Sequence, residues 1–312
     1  MLSAFTLTED PINLPNGASA RNKRINIAWK GKAILSLSQN DYRNYIYPLF
    51  TPSGISLTAE SPIDHPHHQS ISIGADHLNC YLPFGDDKFE EANYNFYVNY
   101  TFQGRAPGRI ISKSIENKEI TENHLRVIQT LFWQGPEEWG APNRRHVATE
   151  KRVIDIYPGQ NSNIVDITSI LHPTKWEIKI GPTRHGYFTI RLADGLRMVD
   201  GGTLGNSDRL TGKEVLSKVN SQWIDAYGPS YMGHKVGLAI FPYGNTGYDS
   251  WGISDYGIIT INPLLNKKYT LRKDSVIEFA VRIVAHEGDT YEAKIEELHK
   301  DFIENFDNSI KG

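Results

Sequence analysis

Apolar residues recur at every second position along much of this 312-residue chain. That period belongs to β-strands, in which successive side chains point to opposite faces. The clearest run is Leu125, Val127, Gln129, Leu131 and Trp133. Tyr94, Phe96, Val98, Tyr100 and Phe102 alternate with Asn95, Tyr97, Asn99 and Thr101 in the same way. Trp176, Ile178 and Ile180 follow, then Phe188, Ile190 and Leu192, then Val236, Leu238 and Ile240, and last the segment Val276 to Ala285. Shorter candidates are Ile25 to Trp29, Ile34 to Leu37, Ser70 to Ile73 and Gly257 to Ile261. Turn formers punctuate them, at Pro15-Asn16-Gly17, Pro158-Gly159, Asp194-Gly195 and Asp200-Gly201-Gly202. Many strands with turn punctuation and little helix predict an antiparallel sandwich or barrel.

One helix is expected, at the C-terminus over about 290–306. Tyr291, Ile295, Leu298 and Phe302 recur there at helical spacing, with Asp289 or Thr290 as N-cap. No repeat, low-complexity tract or linker is visible, so residues 1–312 read as one large β domain. A net charge of −3, with Lys and Arg spread along the chain, gives no basic field for nucleic acid or anionic lipid. The single Cys80 excludes an internal disulfide and a cysteine-based zinc site. No apolar run approaches the about 18–20 residues that cross a bilayer. Met1 to Pro11 has no signal-peptide pattern, which predicts a cytoplasmic protein; a processed secreted chain would look the same.

Chemistry concentrates in Pro62-Ile63-Asp64-His65-Pro66-His67-His68-Gln69, a carboxylate and three imidazoles within five positions. Pro66 favours an extended chain at His65. Alternation would then turn His65 and His67 to one side and His68 to the other. Such a pair can hold a divalent metal if a carboxylate or third imidazole arrives from another strand, or can act as acid–base groups without one. A loop of merely hydrogen-bonded histidines is the plain alternative. In His146 to Arg152, a strand would put Glu150 on one face with Ala148 and Arg152, either as a surface ion pair or as a carboxylate on the wall of the histidine cleft. The glycines of Asp200 to Ser207 fit neither a P-loop nor a dinucleotide fingerprint. Trp133, Trp139, Trp223 and Trp251 lie beside Gln134, Glu137, Asp225, Asp249 and Asp255, a pairing of flat apolar faces with acceptors that suits a sugar. Gly-x-Ser-x-Gly and His-Glu-x-x-His are absent.

The run Tyr47-Pro48-Leu49-Phe50-Thr51-Pro52-Ser53-Gly54, followed by Pro62 and Asp64-His65-Pro66-His67-His68, resembles the DUF6807 family, which also carries a "PmoA" or methane-oxygenase-like label. The likeness runs from about Ala33 to Asp289. It includes Gly201-Gly202 with Asn206-Ser207, Trp223-Ile224-Asp225, Gly237 to Phe241, and Asp255-Tyr256-Gly257 with Asn262-Pro263. Gln69 stands where the family usually has a basic residue, and Pro242-Tyr243-Gly244-Asn245 lacks the histidine common there. The methane label conflicts with the lack of spanning segments. The resemblance implies an all-β protein, a large antiparallel β-sandwich of supersandwich or jelly-roll type related to mutarotase-like sugar-binding folds. It also implies a bacterial sugar-degrading context.

The expected function is cleavage of a glycoside or sugar derivative, by hydrolysis or by β-elimination. His65, His67 and Glu150 are the expected catalytic residues, and His68, Arg191, Asn206, Trp223, Asp225 and Asp255 would contact the substrate. Glu150 with Asp225 or Asp255 would be the carboxyl pair of a metal-free hydrolase. A divalent ion on His65 and His67 is open. A cupin-like metal oxygenase and a non-catalytic sugar-binding module are the alternatives. The expected partner is a small carbohydrate, with self-association open.

Overall fold

The computed structural model describes residues 3–309 apart from 12–21, 84, 86–87, 139–142, 217–219, 231–232 and 245–249. The expected turn at Pro15-Asn16-Gly17 and the residues Trp139, Asn245 and Asp249 lie outside the described residues. The fold is an all-β sandwich with a short C-terminal helix. Its first sheet has eight strands, in the spatial order Phe5–Pro11, Lys23–Trp29, Lys32–Gln39, Asn44–Leu49, Ile71–Ile73, Phe188–Arg191, Ile258–Ile261, Trp251–Ile253. The second also has eight, Thr203–Asn206, Ile224–Pro229, Lys235–Pro242, Ile277–Glu287, Ser162–Pro173, His146–Tyr157, His124–Gln134, Arg109–Thr121. A third sheet of five runs Tyr269–Leu271, Glu177–Ile180, Leu78–Pro83, Phe89–Asn95, Ala106–Pro107. Pairings are antiparallel except the last, which is parallel.

Period-two alternation translates directly into burial. In His124–Gln134 every second residue, Leu125, Val127, Gln129, Leu131 and Trp133, is buried. The same face of the neighbouring strands supplies Ile154, Ile156, Val165, Ile167, Phe279, Val281 and Ile283. Each such aliphatic or aromatic side chain contributes on the order of 1.5–3 kcal/mol by leaving water. The first sheet packs on this face: Phe188 stacks on Phe279 with centroids 5.5 Å apart, and Tyr187 meets the same ring edge-on at 5.7 Å. Just past the third sheet's strand Phe89–Asn95, Phe96 joins the core 4.8 Å from Trp133.

Two expectations change. The run Tyr94 to Phe102 is not one strand. The strand ends at Asn95, whose side-chain oxygen accepts from the N–H groups of Tyr97 and Val98 and turns the chain. The helix spans Ile295–Ser309, later than the sequence suggests. Asp289 does cap, but it caps a separate turn, accepting from Tyr291 and Glu292 N–H. Lys294, at φ 55°, breaks that turn from the helix. Tyr291 is consequently 90% exposed, while Ile295 and Phe302 pack on Trp223, Phe241, Ala280 and Val284 of the second sheet.

The Asp194-Gly195 turn gives a direct test of this packing. Gly195 has φ +90°, and a Cβ there would collide with the Pro229 carbonyl oxygen. Gly195→Ala is expected to cost about 1–3 kcal/mol in urea unfolding. A change within 0.5 kcal/mol, the range of an ordinary surface substitution, would contradict the close approach of these backbones.

Candidate active site

The histidine segment is not extended. His65 N–H donates to Pro62 O and His68 N–H to His65 O, so two tight turns follow one another. A bridge between Glu60 and Gln69 closes the loop at its base. Gln69 Nε2 braces it from within, donating to Ser61 Oγ and Pro66 O. Coiling brings the three imidazoles together instead of dividing them between faces. His65 stacks on His68 at 4.6 Å and 4°, and His67 meets His68 edge-on at 4.6 Å. His65 and His67 stay partly exposed; His68 is buried.

The first sheet supplies what holds this cluster. Arg191 ends the strand Phe188–Arg191, and its fully buried guanidinium grips Asp64 through Nη2, at 2.9 and 2.8 Å to the two oxygens. Asp64 Oδ2 in turn accepts from His65 Nδ1 at 2.9 Å. Tyr256, from the turn between Trp251–Ile253 and Ile258–Ile261, stacks on the other face of His65 at 4.9 Å and lies under Arg191 at 5.2 Å. Partial desolvation pushes the Asp64 carboxyl up, but the hydrogen bonds from His65 and Arg191 outweigh it and hold the group ionised well below the usual carboxylate range.

A second imidazole–carboxylate pair flanks the first. His185 Nδ1 lies 2.6 Å from Oδ2 of the buried Asp76, and the ring stacks on Tyr97 at 4.7 Å. Tyr97 also meets His67 edge-on at 5.6 Å, and the half-exposed Tyr100 lies beyond at 6.5 Å. The rings of Tyr256, His65, His68, His67, Tyr97 and His185 thus form a continuous aromatic array. Burial, then the charges of His65, His185 and Arg43, lower the His67 pKa to about 4. Burial, then His67, His65 and Arg191, lower that of His68 to about 3. Both rings are therefore neutral near pH 7.

The sign of the resulting pH dependence is fixed. A lowered folded-state pKa stabilises above the unfolded histidine value of about 6.5, and that contribution is lost as pH falls through the folded value. Stability should therefore drop from about pH 6.5 through 4 towards 3. His286, whose charged form burial opposes but Asp225 favours enough to raise its pKa, acts oppositely and adds no slope below pH 6.5. Urea unfolding of a His67→Gln, His68→Gln double variant is expected to show a flatter acid limb than the parent. Superimposable limbs would contradict this assignment.

Of the expected site residues, His65, His67, His68 and Arg191 come together, and the exposed Asp255 lies beside Tyr256 on its turn. The others sit apart. Glu150 is fully buried inside the sandwich, where Trp133 Nε1, Arg152 Nε and Ser169 Oγ donate to it at 2.9, 2.8 and 2.9 Å. It is neither a surface ion pair nor a wall of the histidine cleft. Asp225 is buried with His286 and Thr290, at 2.9 and 2.6 Å. It therefore cannot pair with Glu150 across a substrate bond. Asn206 shapes its own turn, accepting from Asp208 and Leu210 N–H, and Trp223 packs under the C-terminal helix.

The expected metal pair, His65 and His67, has ring centroids 5.8 Å apart with planes at 72°. A ring nitrogen binds in the plane of its ring at about 2.0–2.1 Å, so the parallel ring of His68 cannot join His65 on one ion. Among the described residues, no group of three or more His, Cys, Asp or Glu is placed to hold one. Of the residues not singled out in the sequence, Tyr97, His185, Asp76 and Arg43 carry no chemical motif, while Tyr256 lies inside Asp255-Tyr256-Gly257 of the family resemblance.

The molecule is thus an all-β sandwich carrying an aromatic–imidazole cluster at the end of one sheet. The chain belongs to the family described as "Family of unknown function (DUF6807)", which matches residues 24–300; that description gives no support to a methane-oxygenase label. No curated protein matches the sequence. Among solved structures, it is similar to a galactose mutarotase-like protein from Lactobacillus casei ATCC 334, at 8% identity and TM-score 0.40, over 84% of this chain and 100% of that one. It is similar to a galactose mutarotase related enzyme from Lactobacillus acidophilus at 8% identity and TM-score 0.33, over 81% and 95%. A 4-alpha-glucanotransferase from Thermococcus litoralis matches at 12% and TM-score 0.30, over 89% of this chain and 39% of that one. Among the described residues, no helix is long and apolar enough to cross a membrane.

Proposed function

We propose that the protein is a carbohydrate-active enzyme that cleaves a glycoside or sugar derivative by proton transfer at the histidine cluster, with His65 as the acid–base group. The relay from Arg191 through Asp64 to His65 carries this reading. Asp64 accepts the hydrogen bond of His65 Nδ1–H, which leaves Nε2 as the nitrogen that exchanges a proton with a substrate. Arg191 fixes the carboxylate, and Tyr256 and His68 clamp the ring from both faces. The half-exposed ring of Tyr100 suits the apolar face of a pyranose.

Hydrolysis by two carboxyls needs a pair about 5–10 Å apart, flanking the bond. Here Asp64 is held by Arg191 and Asp76 binds His185. β-Elimination fits the groups better. An imidazole removes a proton from carbon, the freed electron pair forms the C=C bond, and the glycosidic oxygen departs with its bonding electrons and takes a proton from the imidazolium so formed. Incubation with a panel of glycosides, followed by assay of new reducing ends and of unsaturated sugars, decides between them. Unsaturated products are expected. Saturated products alone would show hydrolysis. Binding without turnover would identify a non-catalytic sugar-binding protein.

A further inference from the structure

The second imidazole–carboxylate pair has no part in the reaction above, yet it is built like the first. His185 Nδ1–H donates to Asp76 Oδ2 at 2.6 Å, and the His185 backbone N–H donates to the same oxygen at 3.3 Å. Tyr97 stacks on the ring at 4.7 Å and Phe102 meets it edge-on at 5.9 Å. The ring is held at a fixed angle, but 26% of the side chain is exposed. Among the described residues nothing bonds to its Nε2. His65 has the same construction: Nδ1 on a carboxylate, a stacked tyrosine and a ring that solvent reaches. His67 lies between the two, near enough for the charge of either ring to act on it.

The two pairs differ in charge. Asp64 shares its carboxylate between His65 and the fully buried Arg191, so its charge is answered without a proton on His65. Asp76 is 1% exposed, and its Oδ1 is buried without a donor. Arg105 reaches its backbone carbonyl, at 3.4 Å, and not its side chain. Among the described residues, the His185 ring is the one side chain bonded to this carboxylate that can bring it a positive charge. Neighbouring acid–base groups in unlike surroundings take opposite roles.

Returning the carbon's proton to the leaving oxygen makes one ring serve two atoms in turn. We propose that His185 divides this work, as a second catalytic group that protonates the departing oxygen while His65 holds the proton taken from carbon. The inference rests on the acid–base reading of the cluster given above. The imidazolium of His185 gives its Nε2 proton to the oxygen as the C–O bond breaks and the bonding pair stays on oxygen. The ring is left neutral, with its Nδ1–H still on Asp76. Water then takes the proton from His65 and returns one to His185, so the site is restored with no proton gained or lost.

Paired methyl and 4-nitrophenyl glycosides of glucose, galactose, mannose and xylose test it, because 4-nitrophenolate departs without a proton and methoxide does not. In His185→Gln, kcat/KM on the methyl glycosides is expected to fall about 10²-fold or more, the scale of general acid catalysis, with a loss at least about tenfold smaller on the 4-nitrophenyl partners. A residue that only ties its loop to Asp76 would lower both alike. Equal losses, or none, overturn the assignment and leave the single-imidazole route standing. His65→Ala should slow both members of a pair, since the carbon's proton must leave in either; if it slows neither, the reading of the cluster falls. A parent that turns over no member of any pair removes the carbohydrate reading and this assignment together. Should His185→Gln fail to fold, Asp76→Asn decides in its place. Its amide oxygen still accepts from Nδ1–H but the negative charge is gone, so the same split between leaving groups is expected, and its absence overturns the proposal.

Discussion

Replacing Glu150 with alanine is expected to cost about 3–5 kcal/mol of folding stability, the range found when one partner of a buried ion pair is removed. Three donors lose their acceptor at once: Trp133 Nε1, Arg152 Nε and Ser169 Oγ. The Arg152 guanidinium, 3% exposed, would keep, among the described residues, Asn44 Oδ1, 3.0 Å from its Nη1. Removing the charge from both sides, as Glu150→Leu with Arg152→Met, should recover much of the loss, because an apolar pair of similar volume often replaces a buried ion pair without penalty. Urea unfolding of the three variants measures this. A loss under 1 kcal/mol for Glu150→Ala would mean that water reaches the group and that it does not sit inside the sandwich.

His65→Ala is expected to show the opposite profile: turnover reduced about 10²–10⁴-fold, the scale of a general acid–base group, with a small change in melting temperature. The ring is partly exposed and rests on Tyr256 and His68, so its loss removes stacking but opens no enclosed cavity. Asp64 keeps both contacts to Arg191 in this variant, so no buried charge is stranded. The readouts are kcat on whichever glycoside the panel identifies and the melting temperature. Turnover near that of the parent would remove His65 from the reaction and shift attention to His67 and His185.

The strands were legible wherever alternation was strict and uninterrupted, as in His124–Gln134, where the pattern gave both the element and its buried face. It misled at Tyr94 to Phe102, because one Asn side chain, Asn95, captured two backbone donors and ended the strand in the middle of the alternation. For Glu150 the period placed it correctly with Ala148 and Arg152 but left the direction of that face open. What settles the direction is register: Glu150 lies opposite Leu131 on one side and Leu171 on the other, both inward. Register is a long-range property that a period cannot report. The histidine loop was legible as chemistry because its residues are contiguous. Its geometry was not, because two successive turns override the extended bias of Pro66. Arg43, Asp76, His185 and Tyr97 reach the cluster from separate segments, and each is an ordinary residue in its local sequence.

The strand Ile277–Glu287 sits in the middle of the second sheet, between Lys235–Pro242 and Ser162–Pro173, yet it is the last strand the chain makes. On a ribosome, the neighbouring meander from Arg109 to Pro173 is available early as a run of local hairpins, but it must wait with one edge open until more than a hundred further residues have been synthesised. A nascent chain stopped before Ile277 would hold two half-sheets with facing unpaired edges, Ser162–Pro173 on one and Lys235–Pro242 on the other. Such edges pair readily with other chains. Premature termination anywhere upstream of this strand should therefore yield insoluble product rather than a shortened but folded protein.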